Sequence, residues 1–427
     1  MTDAPDRADR RTALRAAAGL AGTVALPAVA GCLGGDGDDG DPGGGDGSDG
    51  DDVPPDDGAD VAYDVETVAE GFEDPWGLAF LPGDGRLLVT ERPGRLSLVD
   101  PESGTVEPVA GAPEVFAEGQ GGLLDVAVHP DYPDDPRVYL TYSATAEDGP
   151  AGGATTHLGA GRLSLDGDAP ALDGFEALFV AEPFRDTDIH FGSRATFGPD
   201  GALFVTVGDR RDTDFGPDHV SQKRSNELGA TLRLTPDGDA HPDNPFVDEP
   251  AASDALYSYG HRNPQAMTVR PKTGAVWQCE HGEEDGDEIN VAERGGNYGW
   301  PIASEACRYG TDDPLAPGHD ERDDVIAPVH YWPCGSGGFP PSGAVFYDGD
   351  AFPEWRGDLF AGTLAAQYLG RFTVEGADAT EATVTEREPL LADRDWRVRA
   401  IAVAPTTGHL YVAVDAADAP VVRIVPT

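Results

Sequence analysis

The residues with the clearest chemical content lie between Ser258 and Trp300. Ser258–Gln265 reads SYGHRNPQ and sets a cation, Arg262, beside an amide, Asn263, in a proline-containing turn. Glu280–Trp300 reads EHGEEDGDEINVAERGGNYGW: Gly282, a run of carboxylates opening at Glu283, then a Gly-rich turn that ends in aromatics. A guanidinium, backbone oxygens and carboxylates this close in sequence suit a site for an anionic cofactor and a hard metal ion.

Other positions carry separable chemistry. His190 closes the run Asp188-Ile189-His190 just ahead of a strand-like segment, and Asp209 ends the segment that follows. A hairpin would return Asp209 to the level of His190. A carboxylate beside an imidazole fixes its tautomer and keeps it basic, which suits a general base, although a lone histidine is as readily structural. Arg397 and Arg399 alternate, so a strand puts both guanidiniums on one face. In a chain poor in cations that pair suits a carboxylate-bearing ligand or, equally, ion pairing with the abundant acids. Gln120, in Gly119-Gln120-Gly121-Gly122, offers a donor and an acceptor where glycine permits close approach. Trp332 could stack on a planar ring or simply pack in a core.

These residues need a frame, and a repeat supplies it. An apolar pair, a Gly/Pro/Asp turn and a β-rich run recur at Leu78–Val89, Val126–Tyr142, Ala195–Asp209, Met267–Cys279 and Ile401–Val414, with a degenerate copy at Ser342–Leu364. In each, one strand ends near a proline, a turn reverses the chain and a β-branched strand follows. Six hairpins without a strong helical period predict an all-β fold, a six-bladed β-propeller over 61–427; a β-sandwich or another blade number is the alternative. Uneven spacing puts long insertions between blades, where function tends to sit.

The formal charge is −49, from 29 basic and 78 acidic residues. It excludes nucleic acid as a partner and disfavours strongly anionic substrates. Such a surface is a solution to staying hydrated in high salt and predicts a halophilic source. Residues 1–32 read as an export signal: Arg10-Arg11, an apolar Ala-rich run, then Gly31-Cys32. This predicts an exported protein, at the cell surface or beyond it, whose only membrane attachment is a lipid on Cys32. Residues 33–60, almost entirely Asp and Gly, predict a disordered acidic linker. Of the remaining Cys279, Cys307 and Cys334, one pair is expected to bridge, Cys307 with Cys334, leaving an odd thiol.

Taken in order, GQGGLLDVAVHP (Gly119–Pro130), HFGSR…VTVGD (His190–Asp209), SYGHRNPQ, EHG…GDEIN…GGNYGWP and RVRAI (Arg397–Ile401) closely resemble the soluble quinoprotein glucose/sorbosone dehydrogenases, PQQ-dependent oxidisers of aldoses. The resemblance spans essentially Val61–Thr427. It implies a six-bladed propeller with PQQ and calcium as cofactors. It implies that His190 takes the proton from the sugar's anomeric hydroxyl, oriented by Asp209, and that Arg262 stabilises charge on the quinone oxygen. Asn263, Arg397 and Arg399 would bind PQQ, Gln120 would lie near substrate and quinone, and Trp332 would line the site. Calcium would take backbone oxygens of Gly282 and Glu283.

Two positions depart from the family pattern. Ala365 stands where the family has a lysine, which removes a cofactor cation, and Glu283 stands where it usually has proline, which adds a negative charge. The competing readings are a calcium-dependent propeller lactonase, which needs no converging arginines, and a sugar-binding propeller without catalysis. The sugar and the electron acceptor are not legible in the sequence.

Overall fold

Each of the six hairpins is the inner half of a four-stranded antiparallel sheet. The computed structural model describes residues 61–146, 153–376 and 382–427. The export signal and acidic linker expected over 1–60 lie outside the described residues. Blades one to five span 75–108, 123–180, 192–259, 264–331 and 341–386 in chain order. Blade six combines 398–426 with the first strand, Tyr63–Phe72, which pairs with Ala419–Pro426 as its outer strand. The ring is therefore closed by hydrogen bonds between the two ends of the described chain, which removes two free sheet edges. Among the described residues the helical elements are three single 3₁₀ turns, and no helix is long and apolar enough to cross a membrane.

The strand sequences explain the burial. Second strands such as Leu87–Glu91, Leu203–Val207, Val276–Glu280 and Leu410–Val414 are buried on both faces because a neighbouring blade covers each side. Outer strands such as Thr105–Pro108 are exposed. Inter-blade layers hold the large residues, for instance Trp355, Tyr347 and Phe360 between blades five and six.

The inner strands converge on the axis, and one side chain spans it. Arg194, in the inner strand of blade three, bonds a group from every other blade. Its Nε donates to the Gln265 carbonyl at 2.6 Å and its Nη1 to Trp76 O at 3.3 Å and Asp125 Oδ1 at 3.0 Å. Its Nη2 donates to Ser342 O at 3.3 Å and Arg399 O at 2.9 Å. The guanidinium lies 3.9 Å from the Trp76 ring centre and is buried. On the hairpin-turn side of it, a channel of about 250 Å³ is lined by the inner strands of all six blades.

The register also sets the opposite face. Where each inner hairpin opens, the residues just beyond the last paired positions face each other. Continuing Gly192↔Val207 brings 190 opposite 209 in blade three. Pro264↔Glu280 brings 262 opposite 282 in blade four, and Val398↔Val414 brings 397 opposite 415 in blade six. Pro75↔Glu91 brings Asp74 opposite Arg92 in blade one, and these two pair at 2.9 Å. His190, Asp209, Arg262, Gly282 and Arg397 thus occupy equivalent hairpin mouths on one face of the ring.

Candidate active site

His190 sits in a sharp reversal with φ 56°, a left-handed conformation that costs energy in a non-glycine residue. Its surroundings hold it there. The His190 N–H donates to Gln120 Oε1 at 2.9 Å, and buried Arg210 donates through its guanidinium to Ile189 O at 2.5 Å and to Thr187 O. Gly208 makes room, since a Cβ there would stand 2.2 Å from His190 O. His190 Nδ1 then meets Asp209 Oδ1 at 2.7 Å, as the hairpin argument requires. The carboxylate only accepts, so the ring proton lies on Nδ1 and Nε2 carries the lone pair.

Asp209 is itself fixed. Its Oδ1 also accepts Arg211 N–H at 2.8 Å, and its Oδ2 accepts the Trp300 indole N–H at 2.9 Å. Burial opposes its charge, but His190 and Arg262 outweigh that and hold its carboxyl below the ordinary range. Burial, with help from the Arg262 charge, pushes His190 below the usual histidine value against the pull of Asp209. The imidazole is therefore neutral and able to take a proton at neutral pH.

These groups line a cavity of about 400 Å³ with Gln120, Arg262, Glu283 and Trp300. Arg262 Nη2 donates to Glu283 Oε2 at 2.8 Å, and its guanidinium lies 5.2 Å from the Trp300 ring centre. The negative charge expected at position 283 is thus spent on the cation expected to meet the quinone. Asn263, next to Arg262, is buried, and its Oδ1 accepts Gly192 N–H at 3.0 Å and steadies the turn after His190.

Arg397 and Arg399 do share a face, and both reach Asp415 Oδ2, at 2.8 and 3.1 Å. Arg399 is buried and also donates to Gln265 Oε1 at 3.0 Å. The ion-pairing reading holds: two cations share one carboxylate, leaving one net positive charge. In blade five the register Pro341↔Thr363 places exposed Ala365 beyond the ladder, and the cation reaching that mouth is Arg397, whose Nη1 donates to Leu364 O at 3.4 Å.

Gly282 and Glu283 lie in a turn that glycine alone allows, because a Cβ on Gly282 would stand 1.9 Å from Asp285 O. Asp287 Oδ1 accepts Gly282 N–H at 3.0 Å; burial pushes the Asp287 carboxyl up to about 6. Asp285 accepts the N–H groups of Cys307 at 2.8 Å and Gly335 at 2.6 Å. The two carboxylates are therefore occupied by backbone, and the oxygens left for a hard cation are carbonyls. Cys307 and Cys334 form the expected disulfide, and Cys279 is the buried free thiol.

Of the expected residues Gln120, His190, Asp209, Arg262 and Glu283 line the cavity, whereas Asn263, Gly282, Arg397 and Arg399 do not, nor does Trp332. It stacks on Phe339 at 4.4 Å and packs edge-on against Phe372, in the apolar layer between blades four and five. The tryptophan lining the cavity is Trp300, whose signal was the aromatic end of the Gly-rich turn. Exposed Phe215 and Tyr309 on the cavity wall, and buried His219 behind Asp209, carried no sequence signal at all.

Comparison with known proteins settles the kinship. A family model for glucose/sorbosone dehydrogenase matches residues 72–423. The chain belongs to the glucose/sorbosone dehydrogenase family. It is similar to the aldose sugar dehydrogenase YliI of Escherichia coli, 36% identical over 373 residues that cover 86% of this chain and 94% of the relative. A solved glucose dehydrogenase is 40% identical with a TM-score of 0.76, covering 84% of this chain and 99% of that one. The PQQ-bound aldose sugar dehydrogenase of Streptomyces coelicolor is 28% identical with a TM-score of 0.67, covering 86% and 99%. A sugar dehydrogenase scaffold of the PQQ-propeller kind is therefore the frame in which the cavity is to be read.

Proposed function

We propose that the protein is a quinoprotein that oxidises the anomeric C–OH of an aldose to the lactone, outside the cell. The observation that carries this reading is the His190–Asp209 contact of 2.7 Å on the wall of a cavity that also holds Arg262. A neutral imidazole with its lone pair on Nε2 takes the anomeric hydroxyl proton, and ionised Asp209 stabilises the imidazolium that results. PQQ, when bound, supplies the carbonyl that accepts the hydride from the same carbon, and calcium would polarise that carbonyl.

The donor set fits PQQ. Arg262 lines the cavity, and Arg397 and Arg399 keep one net positive charge after Asp415 is counted. The Gly282 turn fits a hard cation, because its carboxylates are tied to backbone N–H groups and the carbonyls of Gly282 and Glu283 are the oxygens that would serve. Arg262 stabilises negative charge developing beside it, and Gln120 holds the His190 backbone against the substrate side. A neutral sugar suits a chain of net charge −49. Export under a twin-arginine signal with a lipid on Cys32, and a high-salt habitat, belong to the same proposal.

The test is titration of the signal-free protein with PQQ and calcium in molar salt, read as dye reduction with a panel of aldoses. Saturable activity that His190→Ala abolishes is expected. Absence of PQQ binding at every calcium level would overturn the reading and favour a lactonase or a sugar-binding propeller.

A further inference from the structure

Asp209 has histidines on both sides. His190 occupies Oδ1, and His219 stands behind the carboxylate with Nε2 3.6 Å from Oδ2. His219 is 0% exposed. Its Nδ1 accepts Ser221 N–H at 3.2 Å, which caps the 3₁₀ turn Val220–Gln222. Its Nδ1 also stands 2.7 Å from Ser221 Oγ and accepts that hydroxyl proton, because Asp209 and the Asp212 backbone face the ring as acceptors; the ring proton is therefore assigned to Nε2, toward Asp209. Two acceptors face the ring: Asp209 Oδ2 at 3.6 Å, longer than a hydrogen bond but well within reach of the carboxylate charge, and the Asp212 backbone. The charged one is the carboxylate that orients the base.

The contact is framed on every side. Gln222 Nε2 donates to Trp300 O at 2.7 Å, and Ser221 Oγ stands 2.7 Å from the same oxygen. The Trp300 indole reaches Oδ2 from the other direction. The 3₁₀ turn and the Gly-rich turn therefore close over Asp209 together. The charged groups facing His219 are Asp209, Asp212 and Asp214; the charged and titratable groups facing His190 are Asp209, Arg262, Arg210 and His281. Burial keeps His219 below the usual histidine value, so it acts as a neutral donor.

We propose that His219 is a positioning residue for the base: its Nε2–H steadies the outer oxygen of Asp209 and so limits how strongly Asp209 attracts a proton to His190. The Trp300 N–H bonded to Oδ2 and the Nε2–H dipole 3.6 Å from it both draw the carboxylate charge toward that oxygen. Removing one concentrates that charge on Oδ1 and makes the His190 imidazolium more stable. His190 then titrates at higher pH, and a larger share of it is protonated and inactive near neutrality.

The role in turnover rests on the proposed dehydrogenase reading, so the first test needs no turnover. Nitrogen-15 NMR of histidine-labelled apoprotein, with His190 assigned by its loss in His190→Ala, follows the His190 titration directly. In His219→Phe the midpoint should rise by about one unit, and His219→Gln, which restores an N–H near the ε2 position, should return it toward wild type. An unchanged midpoint in His219→Phe overturns the proposal whether or not the protein oxidises sugars. Wild-type spectra give a check that needs no folded variant: His219 should be the Nε2–H tautomer, and an Nδ1–H tautomer overturns the proposal. In the loaded enzyme, His219→Phe should lower kcat roughly tenfold with KM for the sugar unchanged and move the acid limb upward. A purely structural role would lower both Tm and the loaded fraction and leave the limb in place.

Discussion

His190 is held in a strained backbone so that one ring nitrogen meets Asp209 and the other keeps its lone pair. Burial and Arg262 depress its proton affinity, so the base-competent neutral form persists below the ordinary histidine value of about 6.5. The acid limb of kcat/KM should therefore fall below pH 6.5, with activity lost only as pH drops through the lowered value; a limb above 7 in the wild type would contradict it. Glu283 makes a second residue-scale prediction. Its pair with Arg262 offsets charge that an anionic quinone would otherwise meet. Glu283→Gln should tighten PQQ binding by roughly tenfold, a charged hydrogen bond being worth about 1.5–3 kcal/mol; fluorescence titration of the apoprotein measures it. The sequence carried His190, Asp209, Arg262 and Gln120 because each sits beside a hairpin whose turn chemistry is visible locally. Trp332 misled because its Tyr-Trp-Pro setting is compatible with either a ring platform or a core, and only the stack on Phe339 decides. His219 lies ten residues past Asp209 in an irregular loop, and no local period or turn signal brings it back.

At the scale of elements, all six inner hairpins were legible, because a strand-proline-glycine-strand pattern survives even in the degenerate copy of blade five. The outer strands were not, since short exposed strands such as Thr105–Pro108 have no apolar alternation to read. The Gly-rich turn that delivers Trp300 also has a brace that spacing does not reveal. His319 Nδ1 lies 3.1 Å from Glu305 Oε1, and Nε2 lies 3.0 Å from Tyr298 O. Both partners accept, so both nitrogens donate and the ring is cationic. Burial opposes that charge, but Glu305 and Glu288 outweigh it and push the imidazole up to about 9. A histidine raised in the folded state stabilises below its unfolded value of about 6.5, and that stability drains away as pH climbs from there to about 9. The loss should reach about 3 kcal/mol, read as a falling denaturation midpoint between pH 7 and 9. His319→Gln should start less stable and show a flatter slope over that window.

For the whole molecule, Arg194 is the piece that touches everything. Its guanidinium binds one group from each of the other five blades, and Asp125 would be left buried and unpaired without it. Arg194→Met should cost about 3–5 kcal/mol, a fall in Tm of roughly 5–10 °C by calorimetry, although the substituted residue is remote from the cavity. The same side chain fills the ring where a thoroughfare would otherwise run from one face to the other. Among the described residues Arg194 thereby closes the axis between the two faces. On the proposed reading, sugar, lactone and the electron acceptor that resets the quinone would all use the His190 side, one after another. Traffic of that kind gives double-displacement kinetics: reciprocal rate plots against sugar at several acceptor concentrations should be parallel lines, and intersecting lines would mean that sugar and acceptor are bound together.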